Sequence, residues 1–154
     1  MTHRKRARLT SDRGAAIVEF GIVAPLLLML LFGVVEFGLL FGKKLDVSQG
    51  AREGARLAAV NYQATTGSSG STQASEIVAA TCQRMEVATN TTVTIDTSAG
   101  TSVGDLVTFT IEAPAEPVTG VFDPWLSGRT LTSVVDVRLE QAATFTATTK
   151  EACP

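Results

Sequence analysis

The residue types that most often perform chemistry in proteins are scarce in this chain of 154 residues. It contains one histidine, His3, and two cysteines, Cys82 and Cys153. The usual metal ligands and proton shuttles are therefore nearly missing, which argues against histidine-based catalysis and most transition-metal sites. The sequence also contains neither a Gly-x-Ser-x-Gly nucleophile elbow nor a glycine-rich phosphate-binding loop. We therefore expect no enzymatic activity, no metal and no cofactor.

Two acidic residues, Glu19 and Glu36, lie within the most apolar part of the chain. An ionised carboxylate is costly inside a membrane, so acids in such a position are candidates for a functional role. They are 17 residues apart, and this separation corresponds to about 25 Å along a helix. Each acid can therefore lie near one face of a membrane. For Glu36, which precedes Lys43 and Lys44, a simple contact with lipid headgroups and a functional role both remain open.

One long apolar helix must position these acids. From Phe20 to Gly42 the only charged residue is Glu36, and the run has 23 residues. Such a run forms roughly 34 Å of helix, enough to cross a hydrocarbon core of about 30 Å. We predict a transmembrane segment at about residues 20–42 within a helix from Ala15 to Tyr62. A cleaved secretory signal is the alternative, but its apolar region would be shorter and would end in a small-x-small site that is missing before Lys43.

Charge is distributed unevenly along the chain. Residues 1–14 carry a net charge of +4, residues 15–44 are neutral, and residues 45–154 carry −6. By the positive-inside rule, the basic leader stays in the cytoplasm and residues 45–154 lie outside the plasma (inner) membrane. An acidic outer part argues against nucleic acid as a partner, whereas the leader suits anionic lipid headgroups.

The start of the apolar helix carries a recognisable motif. Residues 13–20 read Arg-Gly-Ala-Ala-Ile-Val-Glu-Phe, with an acid at the fifth position after the glycine. This spacing is that of a prepilin processing site, and the chain resembles the TadE-like family, minor pilins or pseudopilins of the tight-adherence type IV pilus system. Gly14, Glu19 and Phe20 match the family's Gly-x4-Glu-Phe/Tyr motif. The resemblance implies cleavage between Gly14 and Ala15, after which Glu19 faces the α-amino group of a neighbouring subunit.

Two further segments carry the resemblance. Val35-Glu36-Phe37-Gly38 is typical of the family's second half-span, and Ala51-Arg52-Glu53-Gly54-Ala55-Arg56 is its Ala-Arg-x-Gly-Ala-Arg signature. Together with the processing motif, these segments cover residues 14 to about 60. The rest of the chain is similar to the family only in its general pattern of a short helix and Thr/Val-rich strands. The implied partners are membrane lipid, prepilin peptidase, other pilin or pseudopilin subunits and Tad assembly proteins, with no nucleic acid.

Small residues line one face of the helix beyond the membrane. Gly50, Gly54 and Ala58 recur every four residues, so another backbone can approach this face closely. Arg52 and Arg56 are also four residues apart and project together. We predict that the small-residue face serves helix packing and assembly. For the two arginines, a solvated edge and an inter-subunit contact both remain open.

The remainder of the sequence predicts a small extracytoplasmic domain over residues 74–154. Residues 63–73 are rich in Gly, Ser and Thr and are expected to form a flexible loop. Apolar spacing predicts a short helix over Ala74–Val87. Alternation of apolar residues with Thr or charge predicts strands. The predicted strands are Thr91–Asp96, Asp105–Ala113, Thr130–Leu139 and Ala143–Thr149.

The expected fold class is α+β and pilin-like, with three or four antiparallel strands in a meander. Trp125 is expected to cover the small core, and an exposed contact point is the alternative. The part of the chain outside the membrane has about 90 residues, so its hydrophobic core would be marginal by itself. A disulfide between Cys82 and Cys153 is expected outside the cytosol and would add a few kcal/mol in the chain-entropy treatment. Free thiols and intermolecular pairing are the alternatives.

Three functions fit these features. The first is a pseudopilin-type subunit that is trimmed after Gly14 and takes part in pilus assembly. The second is an unprocessed, membrane-anchored scaffold protein of the pilus or secretion machinery. The third is a soluble domain released by signal peptidase.

Overall fold

The computed structural model describes residues 11–86 and 89–154, without the side chains of residues 11–13 and 149. The predictions for the leader, including His3, lie largely outside the described residues. The described residues form a long helix, two short helices and four strands, which confirms the predicted α+β layout. The elements are α1 (Ser11–Ala59), α2 (Gly70–Cys82), β1 (Thr92–Asp96), β2 (Leu106–Pro114), α3 (Asp123–Leu126), β3 (Thr130–Arg138) and β4 (Thr148–Ala152).

Helix α1 is continuous over 49 residues and runs through Pro25. Its first half exposes large apolar side chains, for example Phe20, which is 73% exposed. The most apolar stretch has a mean hydropathy of 2.4, and none of it is buried. By length and composition, α1 can cross a membrane. Helix α2 and strands β2 and β3 pack against α1, and the buried residues of α1 lie in its second half.

The sheet has the strand order β3-β2-β1-β4, and all neighbours are antiparallel. The first three strands form the predicted meander, but β4 pairs with β1 at the opposite edge from β3, so the meander prediction is wrong for the fourth strand. The predicted strand Ala143–Thr149 is also displaced, because pairing begins only at Thr148. Phe145 explains the shift: its side chain is buried in the core, so the chain before Thr148 crosses the end of the sheet.

The helix boundaries also differ from those predicted. Helix α1 ends at Ala59 and not at Tyr62, because Asn61 takes a left-handed conformation with φ 53° and turns the chain. Helix α2 ends at Cys82, where a turn closed by a hydrogen bond from the Met85 N–H to the Cys82 carbonyl follows. This turn delivers the buried Met85 side chain to α1.

The connection from α1 to α2 is tied to α2 through Glu76. One carboxylate oxygen accepts hydrogen bonds from the Ser68 hydroxyl, at 2.7 Å, and from the backbone N–H groups of Ala64 and Thr65. These donors, led by the Ser68 hydroxyl, hold the pKa of Glu76 below its ordinary value. Residues 70–73 form the first turn of α2.

The core lies between one face of the sheet and the two main helices. Alternate strand residues point into it, as the period of two requires, and they meet the small residues of α1 and the apolar face of α2. The fully buried aliphatic and aromatic side chains include Val93, Ile95, Val107, Phe109, Ile111, Val47 and Ile77. A disulfide joins Cys82, at the end of α2, to Cys153 after β4, with a Cα–Cα distance of 5.6 Å. The predicted intramolecular pairing is confirmed.

Trp125 does not cover the core, so that prediction is wrong. Its side chain is 62% exposed on α3, and Phe109 and Phe145 occupy the core. The reason is the position of the loop between β2 and β3, which leaves the sheet toward the apolar half of α1. Phe122 of this loop packs near Gly33 of α1, and Trp125 remains on the outside.

Candidate functional site

The four residues of the predicted processing site lie at the beginning of α1. Gly14, Ala15, Glu19 and Phe20 are all exposed. Gly14 is the fourth residue of the described helix. A Cβ atom built on Gly14 would meet no atom within 4 Å. The Gly14–Ala15 bond therefore has open surroundings among the described residues.

Glu19 has no hydrogen bond or ion pair to any other residue that the structure describes. It lies five residues after Gly14, about 7.5 Å along the helix. The side chain leaves α1 among exposed apolar residues, with Ala16, Phe20 and Val23 beside it. An ionised carboxylate in such surroundings is costly unless a cation reaches it. The arrangement therefore leaves one acid available to a partner.

The small-residue face of α1 is covered by this chain's own domain. Gly50, Gly54 and Ala58 are all buried. A Cβ on Gly54 would lie 2.2 Å from Cζ of Phe109, and a Cβ on Gly50 would lie 2.2 Å from Sδ of Met85. Other groups do approach α1 closely at these residues, as predicted, but they belong to the same chain. The expectation of an inter-subunit surface at these three residues is therefore corrected, because sheet and α2 already occupy it.

The two signature arginines point away from the core and have different surroundings. Arg56 donates two hydrogen bonds, of 2.7 and 2.9 Å, to the carboxylate of Glu53. Glu53 also pairs with Arg84 of the segment that follows α2. Arg52 is exposed and forms no ion pair within the described part of the chain. Exposed pairs of this kind contribute little to stability, so Arg56 fits the solvated edge and Arg52 remains available for another contact.

Sequence reasoning missed the surroundings of Glu36. Its side chain is fully buried, although most of its neighbours on α1 are exposed. One carboxylate oxygen accepts the Val118 N–H at 2.7 Å, and the other accepts the Thr119 N–H at 2.9 Å and the Thr119 hydroxyl. We call these three residues the Glu36 clasp. Because these three donors surround its carboxylate, Glu36 does not make the headgroup contact that was left open. In the sequence, the single sign of this contact was an acidic residue within an apolar run.

Further contacts hold the same loop along α1. The Lys43 ammonium group donates to the Glu116 carbonyl of the loop at 3.3 Å, and Lys44 donates to the Thr132 carbonyl of β3, just after the loop. On the other side of the clasp, the rings of Phe37 and Phe122 lie 5.9 Å apart. The loop is therefore fixed to one face of α1 over about three helix turns.

Within residues 11–86 and 89–154, no cluster of His, Cys, Asp and Glu side chains could hold a metal ion. The arrangement offers three kinds of interaction. These are apolar contact along the first half of α1, an acid near its start that has no partner among the described residues, and a folded domain packed against its second half.

Comparison with known families adds one finding to this geometry. The family described as TadE-like protein matches the chain over residues 14–56. The match begins at the glycine of the predicted processing site and ends at the second arginine of the signature. No curated protein and no solved structure matches the chain.

Proposed function

We propose that this chain, which is TadE-like over residues 14–56, is a pseudopilin or minor pilin that takes part in assembly of a tight-adherence type IV pilus. One observation carries the proposal. The family match coincides with a single helix whose first half is apolar and exposed and whose second half supports a small disulfide-linked domain. This combination suits a subunit that is anchored in a membrane before assembly and carries a folded domain outside it.

The proposed membrane is the plasma (inner) membrane, with a cytoplasmic N-terminus. The charge of +4 in residues 1–14 supports this orientation. The disulfide supports it independently, because such bonds persist outside the reducing cytosol. Two features at opposite ends of the chain thus favour the same topology.

Prepilin peptidase is the proposed processing enzyme, with cleavage between Gly14 and Ala15. The open surroundings of this bond support the proposal. Cleavage would create a new α-amino group at Ala15, and Glu19 of a neighbouring subunit is the proposed acceptor. This pairing would compensate an otherwise isolated carboxylate and fix the axial position of one subunit against the next.

N-terminal sequencing of the chain extracted from membranes tests the proposal. A mature end at Ala15 is expected. The variant Gly14→Val should retain its leader, whereas Gly21→Val should be processed normally. Gly21 is the matched control because a Cβ there also meets no atom within 4 Å.

Other outcomes separate the alternatives. An intact leader in the unsubstituted chain would contradict processing and favour an unprocessed scaffold protein of the pilus or secretion machinery. A mature end near Lys43 would contradict both ideas and favour a released soluble domain. The proposed role is structural and involves no catalysis, metal or cofactor.

A further inference from the structure

The loop between β2 and β3 lies beside the part of α1 that the sequence assigns to the membrane. The Glu36 clasp and the Phe37–Phe122 ring contact place it level with residues 33–37. The apolar run continues to Gly42, six residues or about 9 Å beyond the clasp. If hydrocarbon reached Gly42, this loop would be immersed in it.

Immersion of the loop conflicts with its backbone and its charges. Irregular backbone is not tolerated in contact with lipid chains, because its unpaired N–H and C=O groups find no partners there. The loop also carries the exposed charged residues Glu116, Asp123 and Arg129, which line a common cleft. These groups require water or headgroups. The hydrocarbon must therefore end near the level of the clasp.

The remaining helix has the correct length for this boundary. Counting back from Glu36, a hydrocarbon core of about 30 Å takes 20 residues and reaches Ala16. Ala16 lies next to the proposed mature N-terminus. The exposed side chains of Phe37, Leu39 and Phe41 then fall in the interfacial layer, within roughly 8 Å of the boundary.

The loop has the side chains expected at such a boundary. Val118 and Trp125 are each 62% exposed, and Val121 is 42% exposed. Trp125 lies beside Phe122, with ring centroids 6.0 Å apart and the rings tilted by 45°, and Phe122 in turn contacts Phe37 of α1. The aromatic row is thus continuous with the apolar surface of the helix. Tryptophan favours the membrane interface because its ring is apolar and its N–H can remain hydrated.

We propose that the loop Pro117–Leu126 rests in the lipid interface on the side of the folded domain, with Val118, Val121 and Trp125 against the bilayer. Glu36 holds the loop at that depth and marks the end of the hydrocarbon. The occupant of this surface is lipid, because the patch continues the exposed apolar belt of α1. The inference rests on the membrane anchoring in the proposed function, but not on processing or on a role in a pilus.

Trp125 is the only tryptophan of the chain, so its fluorescence reports on the loop directly. The full chain is reconstituted into phosphatidylcholine vesicles with acyl chains brominated either near the carbonyl group or near the methyl end. Flotation first establishes that the chain is anchored. Trp125 should then be quenched most by bromine near the carbonyl group, and iodide in the buffer should quench it poorly.

A matched control places the tryptophan at the opposite end of the β2–β3 hairpin. In the double variant Trp125→Phe/Val103→Trp, the new ring occupies a position where the native side chain is 66% exposed. Brominated lipid should not quench it, and iodide should quench it several-fold more strongly than Trp125. Equal iodide quenching at the two positions would overturn the proposal.

The remaining outcomes are also decisive. Strongest quenching by bromine near the methyl end would overturn the boundary at Glu36. Protection from iodide that appears only at high protein-to-lipid ratio, without bromine quenching, would assign the surface to a second copy of the chain. Failure of the chain to float would overturn the anchoring itself, and this inference with it.

Discussion

Replacing Gly54 by Ala tests how tightly α1 packs against its own sheet. The added Cβ would lie 2.2 and 2.3 Å from two ring carbons of Phe109 and 2.9 Å from the Thr81 hydroxyl oxygen. Phe109 is fully buried on β2, which has a strand on either side, so its ring cannot move into solvent. Helix and sheet must therefore separate locally.

The expected magnitude follows from two opposing effects. Overpacking of this kind costs up to about 3 kcal/mol, and alanine recovers about 1 kcal/mol of helix propensity relative to glycine. The net loss in the free energy of unfolding is about 2 kcal/mol, or roughly a thirtyfold increase in the opening equilibrium. Hydrogen exchange of the full chain in detergent micelles, followed by mass spectrometry on peptides covering β2, measures this increase.

Two other glycines of the same helix are the controls. Gly42→Ala places a Cβ where no atom lies within 4 Å, so exchange in β2 should be unchanged. In Gly50→Ala the new Cβ meets Sδ and Cγ of the flexible Met85 side chain and, at 3.3 Å, Cδ1 of Ile111. Methionine adapts more readily than an aromatic ring, so the effect should be intermediate. If exchange in Gly54→Ala were no faster than in Gly42→Ala, the argument that this glycine permits a close intramolecular approach would be refuted.

Four further predictions follow from single side chains. Replacing Cys82 by Ser removes the disulfide, which joins residues with a sequence separation of 71. The free energy of unfolding should fall by about 4 kcal/mol in the chain-entropy treatment. An unchanged thermal midpoint would contradict this expected loss of stability. Glu36→Ala should abolish the exchange protection of the amides of residues 118–119, and retained protection would show that the clasp is dispensable. Glu19→Ala should leave the leader processed but reduce incorporation into pili, measured on sheared filaments, and normal incorporation would refute the axial role. Folding lowers the pKa of Glu76, so the stabilisation from its ionised carboxylate is complete above the ordinary pKa of 4.5 and is lost as the pH falls through the lowered pKa. The difference in thermal midpoint between the unsubstituted chain and Glu76→Gln should therefore vanish in acid. A difference that stays constant with pH would contradict this assignment.

Features determined by neighbours in the sequence could be predicted. The apolar run and the residues after it define α1, because helix formation and membrane crossing depend on contiguous residues. Alternation located β1, β2 and β3 to within about two residues. The disulfide was predictable because the chain contains two cysteines.

Features that depend on distant contacts could not be predicted. The partners of Glu36 lie more than 80 residues further along the chain, and no local pattern connects them. The position of β4 beside β1 follows from the burial of Phe145 and the tether at Cys153. The exposure of Trp125 follows from the course of a loop, and a large aromatic residue alone does not specify whether it packs inward or outward.

The intramolecular use of the small-residue face changes where other subunits can bind. From Gly33 to Ala58, one face of α1 carries the clasp, the loop and the core, so a partner could reach it only by displacing the domain. The surfaces that remain are the first half of α1, exposed on every side, and the outward edge that carries Arg52. On the proposed function, subunit contacts in the membrane would use the helix near Glu19, whose carboxylate has no ion-pair partner among the described residues. The proposal then places the specificity of assembly at the beginning of the helix, and the buried residues of the signature region pack the chain's own domain against α1.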